Sequence, residues 1–240
     1  MTQLNRFKST LISSGFDGAL ISSELNQRYL CDFPFTDGYI LVTQEKSYIL
    51  TDFRYIEALK KTVSGFEIII PEKKLSESIA ELSKENKLKR ITVEESSITL
   101  KEFQLFSNAL EGISILNGGA SDILLEQRAI KLDYEIERIK KAQSITDSAF
   151  SYILDFISAN KNSITEYDVA LELDYFMLRN GADALSFETI AVSGEKTSMP
   201  HGVPGMRKIQ NGDFISVDPR CQYTSGGYLK SRYIDDKAGI

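Results

Sequence analysis

The chain has 240 residues, of which 42% are hydrophobic and 26% charged, a globular composition with length enough for two domains of about 100–150 residues each. Its net charge of −6 leaves no large basic surface, which argues against nucleic acid or an anionic membrane as partner, and no apolar run approaches the roughly 18 residues that cross a bilayer. Cys31 and Cys221 lie far apart and outside any CxxC, so a zinc–thiolate cluster is disfavoured and a metal would need oxygen ligands. The opening MTQLNRFKSTLISSG lacks a basic segment running into an apolar core, so the chain is expected to be cytoplasmic.

From the N-terminus, Leu4, Phe7 and Leu11 fall at helical spacing before Gly15, and GALIS reads as a short buried strand. DGYILVT and SYILTD flank QEK and predict a hairpin. FRYIEALKK, LSESIAELSKEN and TLKEFQLFSNAL predict helices, while FEIII, RITVEE and ISIL predict strands. This order is that of an α/β domain with helices flanking a mixed sheet. The small residues of NGGAS, 117–121, mark the boundary, giving domains 1–121 and 122–240.

In the second domain Ile136, Ile139, Ala142, Ala149, Ile153, Phe156 and Ile157 recur at helical spacing, with charges on the other face that are assigned no chemistry. Ser163 and Glu166 are spaced as a capping box for a further helix ending near Gly181. LSFETIAVSG and DFISVD then read as strands, with TSMPHGVPG between them as a loop stiffened by Pro200 and Pro204.

Two residues there are candidates for chemistry. Asp218 ends a strand whose alternation puts Phe214, Ser216 and Asp218 on one face, a rigid mount for a metal-binding carboxylate. Spacing alone favours a turn-initiating Asp before Pro219. His201, the only histidine, could move a proton, ligate a metal or stabilise a developing oxyanion, and on spacing alone it reads as a loop residue.

The stretch SFETIAVSGEKTSMPHGVPGMRKIQNGDFISVD resembles the catalytic segment of the Xaa-Pro aminopeptidase, prolidase and creatinase family, whose catalytic domain has the pita-bread fold. LLEQRAIKLDYEIERIKKAQSITDSAF is similar to the helix that opens that domain, and LNQRYLCDFPFTDGYILVTQEKSYILTDFRYIEALKK to the non-catalytic domain before it. The resemblance implies an α/β creatinase-type N-terminal domain followed by a partial α+β pita-bread metallopeptidase domain. It also implies a pair of divalent metal ions (Mn, Co or Zn) on two Asp, one His and two Glu, activating water against the bond before proline. By this likeness Asp218 is the first metal ligand and His201 is a catalytic residue on the substrate side, not a ligand. Peptides with proline at the second position are the implied substrates and a homodimer the implied assembly.

The pattern departs from the family at about residue 219. Pro219 and Arg220 follow Asp218, and Leu229 stands where the family places its second ligating Asp. SGGYLKSRYIDDKAGI is instead similar to glutamyl-aminopeptidase-type dinuclear enzymes, which makes Asp235 a candidate metal ligand; its other reading is an exposed acidic turn. With no histidine besides His201, the family's His ligand is missing, and the chain is expected to lack the complete site and to be inactive alone. The alternatives are a non-catalytic dimerisation or peptide-binding module, or a truncated or recombined gene product.

Overall fold

The structure, a computed structural model, describes residues 2–160 and 163–223. The chain forms two compact units, one running to Lys131 and one starting at Leu132.

In the first unit, helix α1 (Gln3–Ser13) begins at Thr2, whose hydroxyl accepts the Asn5 N–H at 3.2 Å, and stops before Gly15 at φ +80°. It buries Leu4, Phe7 and Leu11, the spacing read from the sequence. Then follow β1 (Gly18–Ile21), α2 (Glu24–Cys31), β2 (Tyr39–Thr43), β3 (Ser47–Leu50), α3 (Ile56–Thr62), β4 (Glu67–Ile69), α4 (Leu75–Glu85), β5 (Arg90–Val93), α5 (Leu100–Ala109), β6 (Ser114–Leu116) and α6 (Ala120–Ala129). The strands form one six-stranded sheet in the order β4-β3-β2-β1-β5-β6. Pairing is antiparallel across β1–β2 and β2–β3 and parallel elsewhere, so the expected hairpin and mixed sheet are both present.

Strands β1 and β3 are buried at every residue, because both faces of the sheet are covered. On one face Leu20, Leu41, Leu50, Ile91 and Val93 pack with Ile79 of α4 and Phe106 of α5. Alternation turns Ala19, Ile21, Ile40 and Ile49 to the other face, where α1 and α6 pack together and against β1. Fully burying a side chain of this size stabilises the fold by about 1.5–3 kcal/mol.

Two features depart from the sequence reading. Helix α2 has a mixed buried face: beside Tyr29, Leu30 and Cys31 it buries Asn26 and Gln27, held by Glu94 and by the carbonyls of Ile21 and Gly38. The division between units falls at 131/132 and not at 121/122, because the residues after NGGAS form α6, which packs on α1, β1 and β5. LLEQRA therefore belongs to α6 and, with Ile130 after it, to the first unit, not to the helix that opens the second.

The second unit contains α7 (Asp133–Ala159), α8 (Glu166–Arg179), β7 (Ala184–Leu185), β8 (Ile190–Ser193), β9 (Ile215–Asp218) and β10 (Cys221–Gln222). Ala149 and Ile153 of α7 meet Val169, Leu173 and Met177 of α8 in one buried cluster, and Tyr152 stacks on Phe176 with ring centres 4.5 Å apart. The segment LSFETIAVSG is two strands, not one: β7 pairs with β10 and β8 with β9. The cap of α8 is Thr165 with Asp168, the same chemistry two residues later than the expected Ser163 and Glu166. That shift frees Glu166 for another task. Among the described residues no helix is long and apolar enough to cross a membrane.

Candidate active site

Strands β8 and β9 pair antiparallel, with Ile190 opposite Asp218, Val192 opposite Ser216 and Ser193 opposite Ile215. Directly opposed residues project to the same side, and residues two apart share a face, so Ile190, Val192, Ser216 and Asp218 lie on one face of the ladder. Asp218 closes β9, and Pro219, which has no N–H to donate, ends it. Both carboxylate oxygens are engaged by Arg220: Nε donates to Oδ1 at 3.0 Å and Nη2 to Oδ2 at 3.3 Å. Arg220 also lies over the Phe187 ring, 5.2 Å from its centre. Both charged side chains are about 40% exposed, so the pair adds no more than about 1 kcal/mol to stability and matters chiefly for occupying the carboxylate.

After Ser193 the chain makes a 3-10 turn over Gly194–Ser198 and then runs through Pro200, His201, Gly202 and Pro204 to Gly205. The Gly202 N–H donates to Met199 O at 3.0 Å, folding this loop back over the ladder. A Cβ at Gly202 would come within 2.9 Å of Val192 Cγ1, so a glycine is needed for this close approach. The His201 loop thus sits on the face that carries Asp218, over a residue two positions from Asp218's partner, a spacing of about 7 Å along the strand. The imidazole of His201 is exposed and makes no hydrogen bond among the described residues. Met199, Val203, Met206 and Phe214 on and beside the loop are also exposed, from 57% to 84%.

The loop is fixed by groups that the sequence reading assigned no chemistry. The Glu166 carboxylate is fully buried at the start of α8. Its Oε1 accepts the Ser193 N–H at 2.8 Å and the Ser193 hydroxyl at 3.0 Å; its Oε2 accepts Lys196 Nζ at 2.8 Å and the Gly205 N–H at 3.1 Å. Burial pushes this carboxyl up, but Lys196, the Ser193 donors and the Gly205 N–H outweigh it and hold it below its ordinary value, so it is ionised at neutral pH. Arg207 extends the network, donating to Ser193 Oγ at 2.5 Å and through two nitrogens to Asp213 at 2.6 and 3.0 Å. The available signal was a carboxylate next to a better cap: once Thr165 and Asp168 close the helix, Glu166 must find partners elsewhere.

The structure therefore brings the loop of His201 and Asp218 to one strand face, without a hydrogen bond between the two side chains. Asp235 and Leu229 lie outside the described residues. Among the described residues no group of three or more His, Cys, Asp or Glu side chains could hold a metal ion. Asp218 is the only expected ligand described, and each of its oxygens accepts one hydrogen bond from Arg220. These residues do not fit the dinuclear centre that the resemblance implies.

The description of the creatinase/prolidase N-terminal domain matches residues 3–130, and that of metallopeptidase family M24 matches residues 137–232, running past the departure expected at about residue 219. An uncharacterized peptidase of Bacillus subtilis, YqhT, is 33% identical over 221 residues, covering 92% of this chain and 61% of the relative. A Xaa-Pro dipeptidase of Pyrococcus horikoshii is 29% identical, covering 88% of this chain and 57% of its own. Among solved structures, a Xaa-Pro dipeptidase from Bacillus anthracis superposes with a TM-score of 0.83 at 31% identity, covering 92% of this chain and 61% of that one. The chain thus spans about three fifths of the length of the relatives it matches. It belongs to the creatinase/prolidase family, its first unit that family's mixed-sheet N-terminal domain and its second a part of the pita-bread fold.

Proposed function

We propose that the chain is the N-terminal domain and leading part of the catalytic domain of a Xaa-Pro peptidase, whose reaction is hydrolysis of the peptide bond before proline. The observation that carries this reading is the His201 loop folded over the strand face of Asp218. In it His201 faces the peptide and donates a hydrogen bond to negative charge developing on the scissile carbonyl oxygen, and the exposed Met199, Val203, Met206 and Phe214 offer the apolar contact a prolyl peptide needs. The divalent pair of the family, whichever of Mn, Co or Zn, depends on ligands that the described residues do not supply, so these residues bind peptide and do not by themselves hydrolyse it.

A second reading, a peptide-binding or dimerisation module without catalysis, is favoured by the Asp218–Arg220 pair, which places a positive charge beside the one described ligand. The single histidine makes the first test direct. Ala-Pro added to the 240-residue chain should shift the His201 imidazole resonances, and Ala-Ala should shift them much less. Equal responses, or none, would overturn the Xaa-Pro reading. Sedimentation of the same sample decides between monomer and homodimer.

A further inference from the structure

We propose that Glu166 is a positioning residue for His201: its buried carboxylate ties together the start, the turn and the end of the loop, and so sets where the imidazole stands. The four donors it accepts come from three separate points of that loop, Ser193, Lys196 and Gly205. Both oxygens carry two hydrogen bonds, a carboxylate's full capacity in two directions. Its place at the first turn of α8 adds the favourable field of a helix N-terminus.

At its start the loop is also tied by the Gly194 N–H to Phe214 O at 2.9 Å, and Gly202 packs on Val192. Between Glu195 and Val203 its remaining bonds are short-range: Thr197 Oγ1 to Gly194 O at 2.7 Å, Ser198 Oγ to Glu195 O at 2.9 Å, the Met199 N–H to Lys196 O at 2.9 Å and the Gly202 N–H to Met199 O. Lys196, already on Glu166, reaches Val203 O at 3.4 Å, so the salt bridge also braces the residues flanking His201. At the loop's end and beyond it the anchoring is also backbone to backbone and independent of the carboxylate: Tyr167 N–H to Gly205 O, Glu166 N–H to Arg207 O and Ile209 N–H to Ile164 O, each 3.0 Å. Changing the side chain therefore loosens the loop between its two ends while the strands and helix around it stay in place.

Glu166→Gln makes this specific. The amide keeps the shape but turns a donor toward Ser193, Lys196 or Gly205, so at least one side of the tie becomes donor against donor. That a placed His201 serves peptide recognition rests on the function proposed above; that Glu166 places it does not, and the experiment contains no peptide. In the 240-residue chain, the His201 imidazole signal and its line width are followed with the methyl signals of Ala149, Ile153, Val169 and Met177 as reporters of the core. Glu166→Gln should shift and sharpen the His201 signal and raise hydrogen exchange at the Gly205 amide by about 10- to 100-fold, the loss of a charge-assisted bond, with the core methyls unmoved. Lys196→Met should reproduce part of this and Lys196→Arg should restore the wild-type signature. If Glu166→Gln unfolds the unit, Lys196→Met carries the test, since Lys196 is partly exposed and its loss leaves three bonds to the carboxylate. An unchanged His201 signal in the folded variants, or His201 and core methyls shifting together, would overturn the proposal.

Discussion

Gly194 joins β8 to the His201 loop at φ +59°, where an L side chain is strained, and a Cβ there would stand 2.5 Å from Arg207 Nη2 and 2.9 Å from Cζ. Gly194→Ala therefore has two costs. The left-handed backbone contributes about 1–2 kcal/mol. The second cost falls on Arg207, whose guanidinium must move off Asp213 and Ser193 Oγ. The Arg207 side chain is 32% exposed and that of Asp213 13%, so solvent screening lowers the worth of the fork to about 1–2 kcal/mol. The sum is about 2–4 kcal/mol in the wild-type background, and about 1–2 kcal/mol in an Arg207→Ala background, where the guanidinium is gone and Asp213 Oδ1, 3.2 Å from the added Cβ, can turn away. Hydrogen exchange read over peptides of the second unit, in a cycle of the two single variants and the double variant, measures both values. Equal costs in the two backgrounds would refute the close approach of Gly194 to Arg207.

Other outcomes follow from buried groups. Glu94 accepts the Ser22 and Ser23 N–H groups at 2.9 Å each and the Asn26 amide at 2.5 Å, so Glu94→Ala should destabilise the first unit by about 2–4 kcal/mol in urea melts, while less than about 1 kcal/mol would contradict its role. Leu41→Ala, in the fully buried sheet core, should cost about 2–5 kcal/mol in the same assay. Glu166 has its folded pKa depressed, so its stabilisation is complete above its unfolded value and is lost as pH falls through the folded one. The stability gap between wild type and Glu166→Gln should be flat above about pH 5 and shrink below about pH 4.3, and a gap that widens on acidification would contradict the sign. Burial pushes the Cys31 thiol up to about 12 and also raises Cys221, so a thiol reagent at pH 8 should label neither in the native chain and both in denaturant.

Where burial was apolar, the fold was legible. The Leu4, Phe7 and Leu11 stripe, the hairpin around QEK and the strand ending at Asp218 stand as the sequence implied, because each is a periodic apolar pattern closed by a turn or a proline. Helix α2 was hidden because the first turn of its buried face is polar: Asn26 and Gln27 are satisfied by Glu94 and backbone carbonyls, which leaves only Tyr29, Leu30 and Cys31 as an apolar signal in an eight-residue helix. NGGAS misplaced the division because flexible residues mark a turn as readily as a boundary. In the site, Asp218 and the His201 loop could be named from resemblance, yet their shared face depends on the β8–β9 register and on Gly202 packing against Val192. Glu166 was read as a cap because an acidic residue near a helix start has two uses that spacing does not separate.

The most direct test of the account is the binding of Mn²⁺ to the 240-residue chain, titrated calorimetrically and followed by incubation with Ala-Pro. With no metal-holding group of three or more His, Cys, Asp or Glu among the described residues, binding should saturate at fewer than two ions per chain and the dipeptide should remain intact. Two ions bound per chain together with release of free proline would contradict it.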